Sequence, residues 1–281
     1  MTFQNTLAVL FTCISFNLGA QNLPEEENIN PKIKLRAVAE IGFLGVLDHK
    51  VQFSNSGTYF DYKRDGGQDV LFPIIRPSLE LDINPRNTFI LLYQPLAIET
   101  KVVLTDDLIV DDLLFPAGSG VKMLYNFPFY RFSYLRELLP NNPKLKFAIG
   151  PTVQFRNATI SFESLDGDKF RTNRDLGIVP ALKIRARHNI TNRFYTELEA
   201  DGIYAPVSYL NGSDTEIVGA ILDASLRAGY QLTTPISAFF NVRYLGGGAV
   251  GTSNDNVGPG DGYVRNWLHF GTVSAGFVYS L

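Results

Sequence analysis

Ionisable residues alternate with small and apolar residues in two neighbouring runs of the sequence. The first run carries three cations and the second three anions, each at every second position: Lys183, Arg185, Arg187, Glu197, Glu199 and Asp201. Period-2 alternation is typical of β-strands, whose successive side chains point to opposite faces. A face of this kind can either fill an enclosed interior with salt bridges or line a polar passage for small solutes.

The two runs predict an antiparallel hairpin that turns at residues 188–192. We expect Arg185 to face Glu197 and Lys183 to face Glu199, because directly opposed unlike charges contribute about 0.2–1 kcal/mol per pair. The other face of the hairpin is apolar and small. It would pack on a core in a soluble sheet and would meet lipid in a transmembrane barrel.

Further ionisable residues share the polar faces of other predicted strands. These are Arg36, Glu40, Asp223, Arg227 and Arg243. A Lys or Arg that faces lipid at the centre of a membrane costs about 2–4 kcal/mol. In a barrel we therefore expect all eleven residues of the two sets to line the lumen.

One histidine has neighbours that could support hydrolysis. His49 follows Asp48, and Asp61 and Asp69 lie a little further along the chain. Asp and His at the outer rim would suit an omptin-like or lipid-acting hydrolase. The sequence contains no His–Asp pair contributed by another strand and no Ser beside a His, so we assign no catalytic residue.

Other candidate sites are weaker. The acidic loop 106–112 and the oxygen-rich loop 253–261 could hold a cation, but the second lacks the spacing and closing Glu of an EF-hand. The single cysteine, Cys13, lies in the N-terminal apolar run and leaves no Cys-based site elsewhere. His188 falls in a turn, and His269 lies beside the only tryptophan, as expected of an interfacial aromatic girdle. We predict no metal and no cofactor.

Length and composition fit one large all-β domain. The chain has 281 residues, of which 19% are charged, and it contains 13 Tyr and 21 Phe. The net charge of −3 excludes the electrostatic footprint of a nucleic-acid-binding protein. Residues 1–20 read as a signal peptide, residues 21–32 as an acidic periplasmic lead-in, and 33–281 as the folded domain. After residue 20 the sequence has no apolar run of about 18 residues that could form a transmembrane helix.

The spacing of turns predicts about ten strands, within a range of about 8–12. Short turns at 84–87, 139–143, 188–192 and 232–235 alternate with longer loops. This asymmetry is typical of an antiparallel transmembrane β-barrel with short periplasmic turns and longer extracellular loops. Prolines inside predicted strands indicate kinks or bulges: Pro77, Pro95, Pro128, Pro151, Pro180 and Pro206.

The last strand carries apolar residues at alternate positions, namely Val273, Ala275, Phe277, Tyr279 and Leu281. This pattern resembles the C-terminal signature of outer-membrane barrels, although the final residue is Leu instead of an aromatic. Several stretches also resemble an uncharacterised family of exported bacterial outer-membrane β-barrel proteins: Gly57–Tyr62, Leu92–Leu96, Thr172–Asp175, Tyr244–Gly248 and Asn266–His269. The resemblance implies location in the cell outer membrane, contact with its lipid, and recognition of the last strand by the barrel-assembly machinery. The resemblance implies no enzymatic or transport activity.

The sequence therefore predicts an outer-membrane β-barrel that is structural or forms a narrow, charge-lined passage for small solutes. Two alternatives remain open. One is a hydrolase at the outer rim, and the other is a soluble exported barrel that binds a small ligand. No nucleic-acid partner is expected, and the sequence leaves the oligomeric state open.

Overall fold

The computed structural model describes residues 33–206, 216–252 and 260–281, so the predicted signal peptide and lead-in lie outside the described residues. In this part of the chain, no helix is long and apolar enough to span a membrane. The strands in chain order are β1 (Ile33–Phe53), β2 (Phe60–Asp61), β3 (Leu71–Ile75), β4 (Ser78–Ile83), β5 (Asn87–Gln94), β6 (Ala97–Val103), β7 (Leu108–Val110), β8 (Leu113–Phe115), β9 (Gly120–Asn126), β10 (Phe129–Glu137), β11 (Leu145–Ser164), β12 (Phe170–Asn189), β13 (Phe194–Pro206), β14 (Glu216–Gln231), β15 (Ile236–Thr252) and β16 (Tyr263–Ser280).

The sheet closes on itself. Neighbouring strands pair in the order β1, β4, β5, β10, β11, β12, β13, β14, β15 and β16, and β16 pairs again with β1. All of these pairings are antiparallel. The described residues therefore form a ten-stranded antiparallel β-barrel, which confirms the predicted fold class.

Three wall strands are interrupted at prolines. Breaks at Pro77, Pro95 and Pro128 separate β3 from β4, β5 from β6, and β9 from β10. Proline has no backbone N–H to donate to a ladder, so strands bend or break there. At Pro151 the strand continues, but its pairing with β10 skips from Ser133–Thr152 to Arg136–Ile149. Three of these prolines thus interrupt strands, and at Pro151 the ladder to β10 loses pairs while its register is unchanged.

Short turns lie at one end of the barrel, which we call the short-turn end. They join β4 to β5, β10 to β11, β12 to β13 and β14 to β15. Both chain ends of the barrel meet here, since Leu281 donates its N–H to the carbonyl of Leu35 at 2.8 Å. We call the opposite end the long-loop end. Several wall strands extend further toward it than predicted, and β15 continues to Thr252.

The register of the β12–β13 hairpin differs from the predicted one by two positions. The observed partners are Lys183 with Asp201, Arg185 with Glu199, and Arg187 with Glu197. Thr191 Oγ1 accepts the N–H groups of Arg193 and Phe194 at 3.2 and 2.9 Å, which fixes the turn after Asn189. The centre of the hairpin therefore lies one residue later than the sequence pattern indicated.

Large apolar side chains cover the outside of the wall. Examples from strands all around the ring are Ile41, Leu79, Phe132, Ile178, Leu226, Phe240 and Phe277, each about half exposed or more. Exposed large apolar residues on strands all around the ring differ from the single, limited patches of soluble monomers. They match the lipid-facing band of a transmembrane barrel.

The interior divides into two halves of different chemistry. The half toward the short-turn end contains buried charged and polar side chains. The half toward the long-loop end contains a hydrophobic core built around Tyr62, Tyr125, Phe162 and Phe270. Residues 54–69, which we call the inner segment, supply Phe60, Tyr62 and Gln68 to this interior.

A small hairpin, β7–β8, extends the core at the long-loop end. Leu108, Val110 and Phe115 of this hairpin are buried in the hydrophobic core. It binds the start of the inner segment, because Thr58 donates its N–H to Ile109 at 2.9 Å and Ile109 donates to Thr58 Oγ1 at 2.9 Å. The sequence pattern had assigned this stretch to an acidic loop.

Candidate functional site: a charged network and a cavity inside the barrel

Charged side chains from opposite walls meet inside the barrel. Three bonds cross the interior: Arg131 to Asp223 at 2.7 Å, Arg185 to Glu80 at 2.9 Å, and Arg243 to Gln94 at 2.6 Å. In each pair the two strands are separated by three intervening strands of the ten-strand ring. These bonds therefore run across the lumen, not along one wall.

Within the β12–β13 wall the charges form a ladder. Lys183 Nζ lies 2.7 Å from Glu199 and 2.9 Å from Asp201, and Arg187 lies 2.6 Å from Glu197. Arg185 Nη2 lies 2.8 Å from Glu199 as well as bonding Glu80 across the lumen. The ladder is continuous with the cross-lumen bonds, because Arg131 also lies 3.1 Å from Asp201.

The remaining residues predicted to line the lumen join the same network. Arg36 lies 2.9 Å from Glu80 and 2.8 Å from Asp82. Arg227 lies 3.1 Å from Glu197. Glu40 accepts hydrogen bonds from Asn241 at 2.9 Å and Ser274 at 2.5 Å. The structure places all eleven predicted residues inside the barrel.

The sequence prediction omitted several members of this network, among them the buried residues Arg76, Glu80, Gln94 and Arg131. Arg76 and Glu80 occupy the polar face of the second wall strand, so the alternation could have identified them. Arg131 is harder to find, because aromatic residues lie on both faces of β10: Phe129 points inward, and Phe132 points outward.

His49 is fully buried in the hydrophobic core. The register of β1 against β16 shifts between Val46 and Asp48, which turns His49 inward. Its ring stacks on Tyr62 at 4.5 Å between centroids, and its Nδ1 lies 2.8 Å from Gln68 Oε1.

The carboxylates that the sequence placed near His49 lie elsewhere. Asp48 forms a salt bridge to Lys50 at 3.1 Å on the outer face, and Asp69 is exposed. Asp61 accepts the backbone N–H groups of Lys63 and Arg64, each at 3.0 Å. The structure thus separates the elements of the candidate rim hydrolase.

The other histidines and the acidic loop have local partners. His188 is exposed beside the short turn, and His269 Nδ1 lies 2.5 Å from the Tyr244 hydroxyl. Asp112 forms an ion pair with Arg171. Among the described residues, no group of three or more His, Cys, Asp or Glu side chains is placed to hold a metal ion. Residues 253–259 of the second candidate cation loop lie outside the described residues.

A cavity of about 1270 Å³ lies beside the hydrophobic core, on the side of the barrel formed by β11 to β16. Its wall is mostly apolar or small, with Ile203, Gly219, Ile221, Leu245, Gly247, Ala249 and Leu268. Polar side chains also line it, with Asp111, Gln154, Arg156, Thr172, Asn173 and Asn266. The volume exceeds the roughly 300–1,000 Å³ of common ligand pockets.

The cavity does not continue through the charged network as a wide passage. Between Arg76, Glu80, Arg131, Lys183 and Arg185 the described side chains leave a void of about 10 Å³. A space of this size holds at most about one water molecule. In the described structure, the charged network lies between the cavity and the short-turn end and leaves little free space at this point.

The closed ten-strand wall, the apolar outer band and the polar interior define an outer-membrane type of β-barrel. The fold is similar to that of the outer membrane protease OmpT from Escherichia coli, with a TM-score of 0.52 and 12% identity, covering 92% of this chain and 99% of that one. At this identity the likeness concerns the fold alone.

More distant similarity extends to other barrels. A Pseudomonas aeruginosa FadL homologue matches with a TM-score of 0.36 and 10% identity over 90% of each chain. The Ail protein of Yersinia pestis matches with a TM-score of 0.32 and 9% identity, over 88% of this chain and 99% of that one. No family model matches the sequence, and no curated protein matches it.

Proposed function

We propose that this protein is an outer-membrane β-barrel that binds a small, largely apolar molecule in its lumen cavity and does not conduct solutes across the membrane. In this proposal the short-turn end faces the periplasm and the long-loop end faces the outside, the arrangement of bacterial outer-membrane barrels. Lipid contacts the apolar outer wall. The last strand, β16, is the element that the barrel-assembly machinery would recognise.

The observation that carries the proposal is the charged network below the cavity. Opening a passage there would require Arg131, Arg185 and Arg243 to leave acceptors on the opposite wall. Breaking a buried ion pair by removing one partner costs about 3–5 kcal/mol. Several such contacts would have to be broken together. The network is therefore better explained as a permanent closure of the lumen than as a gate that opens.

The chemistry of the cavity supports ligand binding. Ligand pockets are typically apolar, with a few polar groups that orient the ligand. Here Ile203, Ile221 and Leu245 provide apolar surface, while Arg156 and Asn266 provide polar groups. The inner segment fills the other side of the long-loop half, which leaves this cavity as a defined space beside a packed core.

Two alternatives fit less well. A narrow solute passage requires continuous polar space through the network, where the void is about 10 Å³. A rim hydrolase requires a base and a reacting group that substrate can reach, whereas His49 is fully buried between aromatic rings. Neither alternative is favoured by a specific contact.

Two measurements test the proposal on the purified full-length chain. In planar bilayers we expect no stable conductance steps. In lipid nanodiscs we expect saturable binding of naphthol, a small apolar fluorophore, above the signal of empty nanodiscs. Ala249→Trp should weaken this binding because the indole occupies part of the cavity, whereas Ala238→Trp, on the same strand outside the cavity, should leave it unchanged. Stable conductance steps, or equal naphthol binding by both variants, would contradict the proposal.

A further inference from the structure

The barrel wall separates between β12 and β13. Their pairing runs from Asn189–Tyr195 to Leu182–Gly202 and ends there, although both strands continue toward the long-loop end. Within the described residues, β12 residues 170–181 are paired with β11 alone. By continuation of the observed register, β13 residues 203–206 lie opposite β12 residues 178–181, and we call the space between these two stretches the lateral gap.

A proline explains where the pairing ends. Asn189 donates its N–H to Lys144, beside β11, whereas Ile190 donates to Phe194, at the start of β13. Backbone groups alternate sides along a strand, so the even-numbered residues of β12 direct their N–H groups toward β13. Pro180 is the next even-numbered residue after Leu182, and it has no N–H. The ladder therefore loses its donor at the start of the lateral gap.

The lumen cavity reaches the lateral gap. It is lined by consecutive residues of β12, including inward-facing Gly177 and Val179 and outward-facing Leu176 and Ile178. Leu176 and Ile178 are 81% and 66% exposed. A cavity that contacts both faces of one strand passes around that strand's edge. The interior space is therefore continuous with the apolar outer surface.

The gap begins at the outer end of the part of the wall that faces lipid. A transmembrane strand crosses the bilayer core in about 9–11 residues. Counted from Asn189, at the short-turn end of β12, that length reaches the region of Pro180 and Val179. Irregular backbone at this depth is tolerated where it lines a cavity instead of contacting lipid. The free edge of β12 fits this condition.

The polar groups of the cavity indicate which kind of ligand headgroup the cavity would bind. Five residues that line the cavity each have one buried polar atom without a hydrogen-bond partner in the structure, namely Arg156 Nε, Thr172 Oγ1, Asn173 Nδ2, Asp111 Oδ2 and Asn266 Oδ1. The set includes both donors and acceptors. Of the charged residues that line the cavity, Arg156 is paired with Asp175 and Asp111 lies 3.8 Å from Arg171, whereas Arg174 is exposed on the outward-facing side of β12. An uncharged ligand that carries both donors and acceptors complements this wall best.

We infer that the lateral gap admits a single-chain amphiphile with an uncharged, hydroxyl-bearing headgroup from the membrane into the lumen cavity. The acyl chain lies against Val179, Ile203 and Ile221, and the headgroup contacts Arg156 and Thr172. This inference rests on the proposed function, because it specifies the ligand and its route to the same cavity.

The first experiment tests the class of ligand. Protein in nanodiscs is titrated from the aqueous side with decanoyl glycerol, decanoate and decyltrimethylammonium, which share a chain length and differ in headgroup charge. We expect decanoyl glycerol to bind at least about tenfold more tightly than either charged probe, and Ala249→Trp to weaken its binding. Equal affinity for the three probes, or preference for a charged one, would overturn the assigned headgroup. Binding of none would overturn the proposed function as well.

The second experiment tests the route. A long-chain monoacyl glycerol with a photoreactive group at the chain end is confined to vesicle bilayers that contain the protein, and adducts are mapped by mass spectrometry. We expect adducts on inward-facing Val179 or Ile203, which Ala249→Trp reduces and Ala238→Trp does not. If adducts form only on outward-facing residues such as Leu198 and Phe240 while decanoyl glycerol still binds from water, the lateral route is wrong and the proposed function stands.

Discussion

Arg131 and Asp223 meet across the lumen, with Arg131 Nη1 2.7 Å from Asp223 Oδ2, although three wall strands separate β10 from β14. Asp223 also bonds Arg243 and lies 3.9 Å from Arg76. One carboxylate thus connects three guanidinium groups from different strands. This arrangement makes Asp223 the residue on which the floor of the cavity depends most.

Asp223→Asn should destabilise the barrel. The amide retains the size of the carboxylate and removes the charge that balances three buried cations, and uncompensated buried charge costs about 3–5 kcal/mol. Urea unfolding in vesicles measures the change in the free energy of unfolding. Asp168→Asn, in the exposed β11–β12 turn, is the matched control and should stay within about 0.5 kcal/mol of the wild type. Equal stability of the two variants would show that the network contributes little.

Leu226→Arg should impair insertion or stability. Leu226 is 59% exposed on the outer face of β14, and an arginine facing lipid costs about 2–4 kcal/mol near the bilayer midplane. Leu232→Arg is the control, because Leu232 is 51% exposed in the short turn after β14. Heat-modifiable migration on gels reports the folded fraction of each variant. A folded fraction of Leu226→Arg as high as that of Leu232→Arg would place the outer face of β14 outside lipid.

Tyr62→Ala should release the inner segment from the core. Tyr62 is fully buried and packs on His49 and Phe162, and truncating a large buried aromatic side chain costs about 3–5 kcal/mol. Trypsin added to intact vesicles should then cut after Lys63 or Arg64 faster than in the wild type.

Tyr62→Phe provides the control for that change. The Tyr62 hydroxyl is buried and has no hydrogen-bond partner in the structure. Removing the hydroxyl keeps the ring packing and leaves no partner unpaired, so cleavage should match the wild type. Faster cleavage of Tyr62→Phe would indicate that the hydroxyl has a partner, such as a bound water.

The contact between Asn55 and Asp261 should weaken in acid. The backbone N–H of Asn55, 3.0 Å from Asp261 Oδ2, and that of Tyr263 hold the pKa of the Asp261 carboxyl below its usual value. Because the folded-state pKa is depressed, the contact is fully present above the unfolded pKa of about 3.9 and is lost as the pH falls through the lower folded value. Hydrogen exchange at the Asn55 amide measures this loss. In Asp261→Asn the exchange should show no such acid-dependent step.

The alternation of polar and apolar residues predicted strands with one charged and one apolar face, and the turn-loop asymmetry and the last strand favoured a barrel. Within a barrel, charges on one face of β12 and β13 cannot face lipid without a large energetic cost, so the inward position of Lys183, Arg185 and Glu199 follows from residue type and period. Turn chemistry was less informative. Thr191 moved the centre of the β12–β13 hairpin by one residue, and this changed every cross-strand partner.

Only the tertiary structure determined which inward residues meet. Closure of the ring brings Arg131 to Asp223 and Arg185 to Glu80, pairs that are distant in sequence and lie on opposite walls. A register shift after Val46 turned His49 from a rim position into the core. The sequence indicates that Pro180 disturbs its strand. Only the structure shows that the missing N–H would have pointed toward β13, so that the pairing of β12 with β13 ends there. These features depend on contacts between distant strands, which local periodicity does not specify.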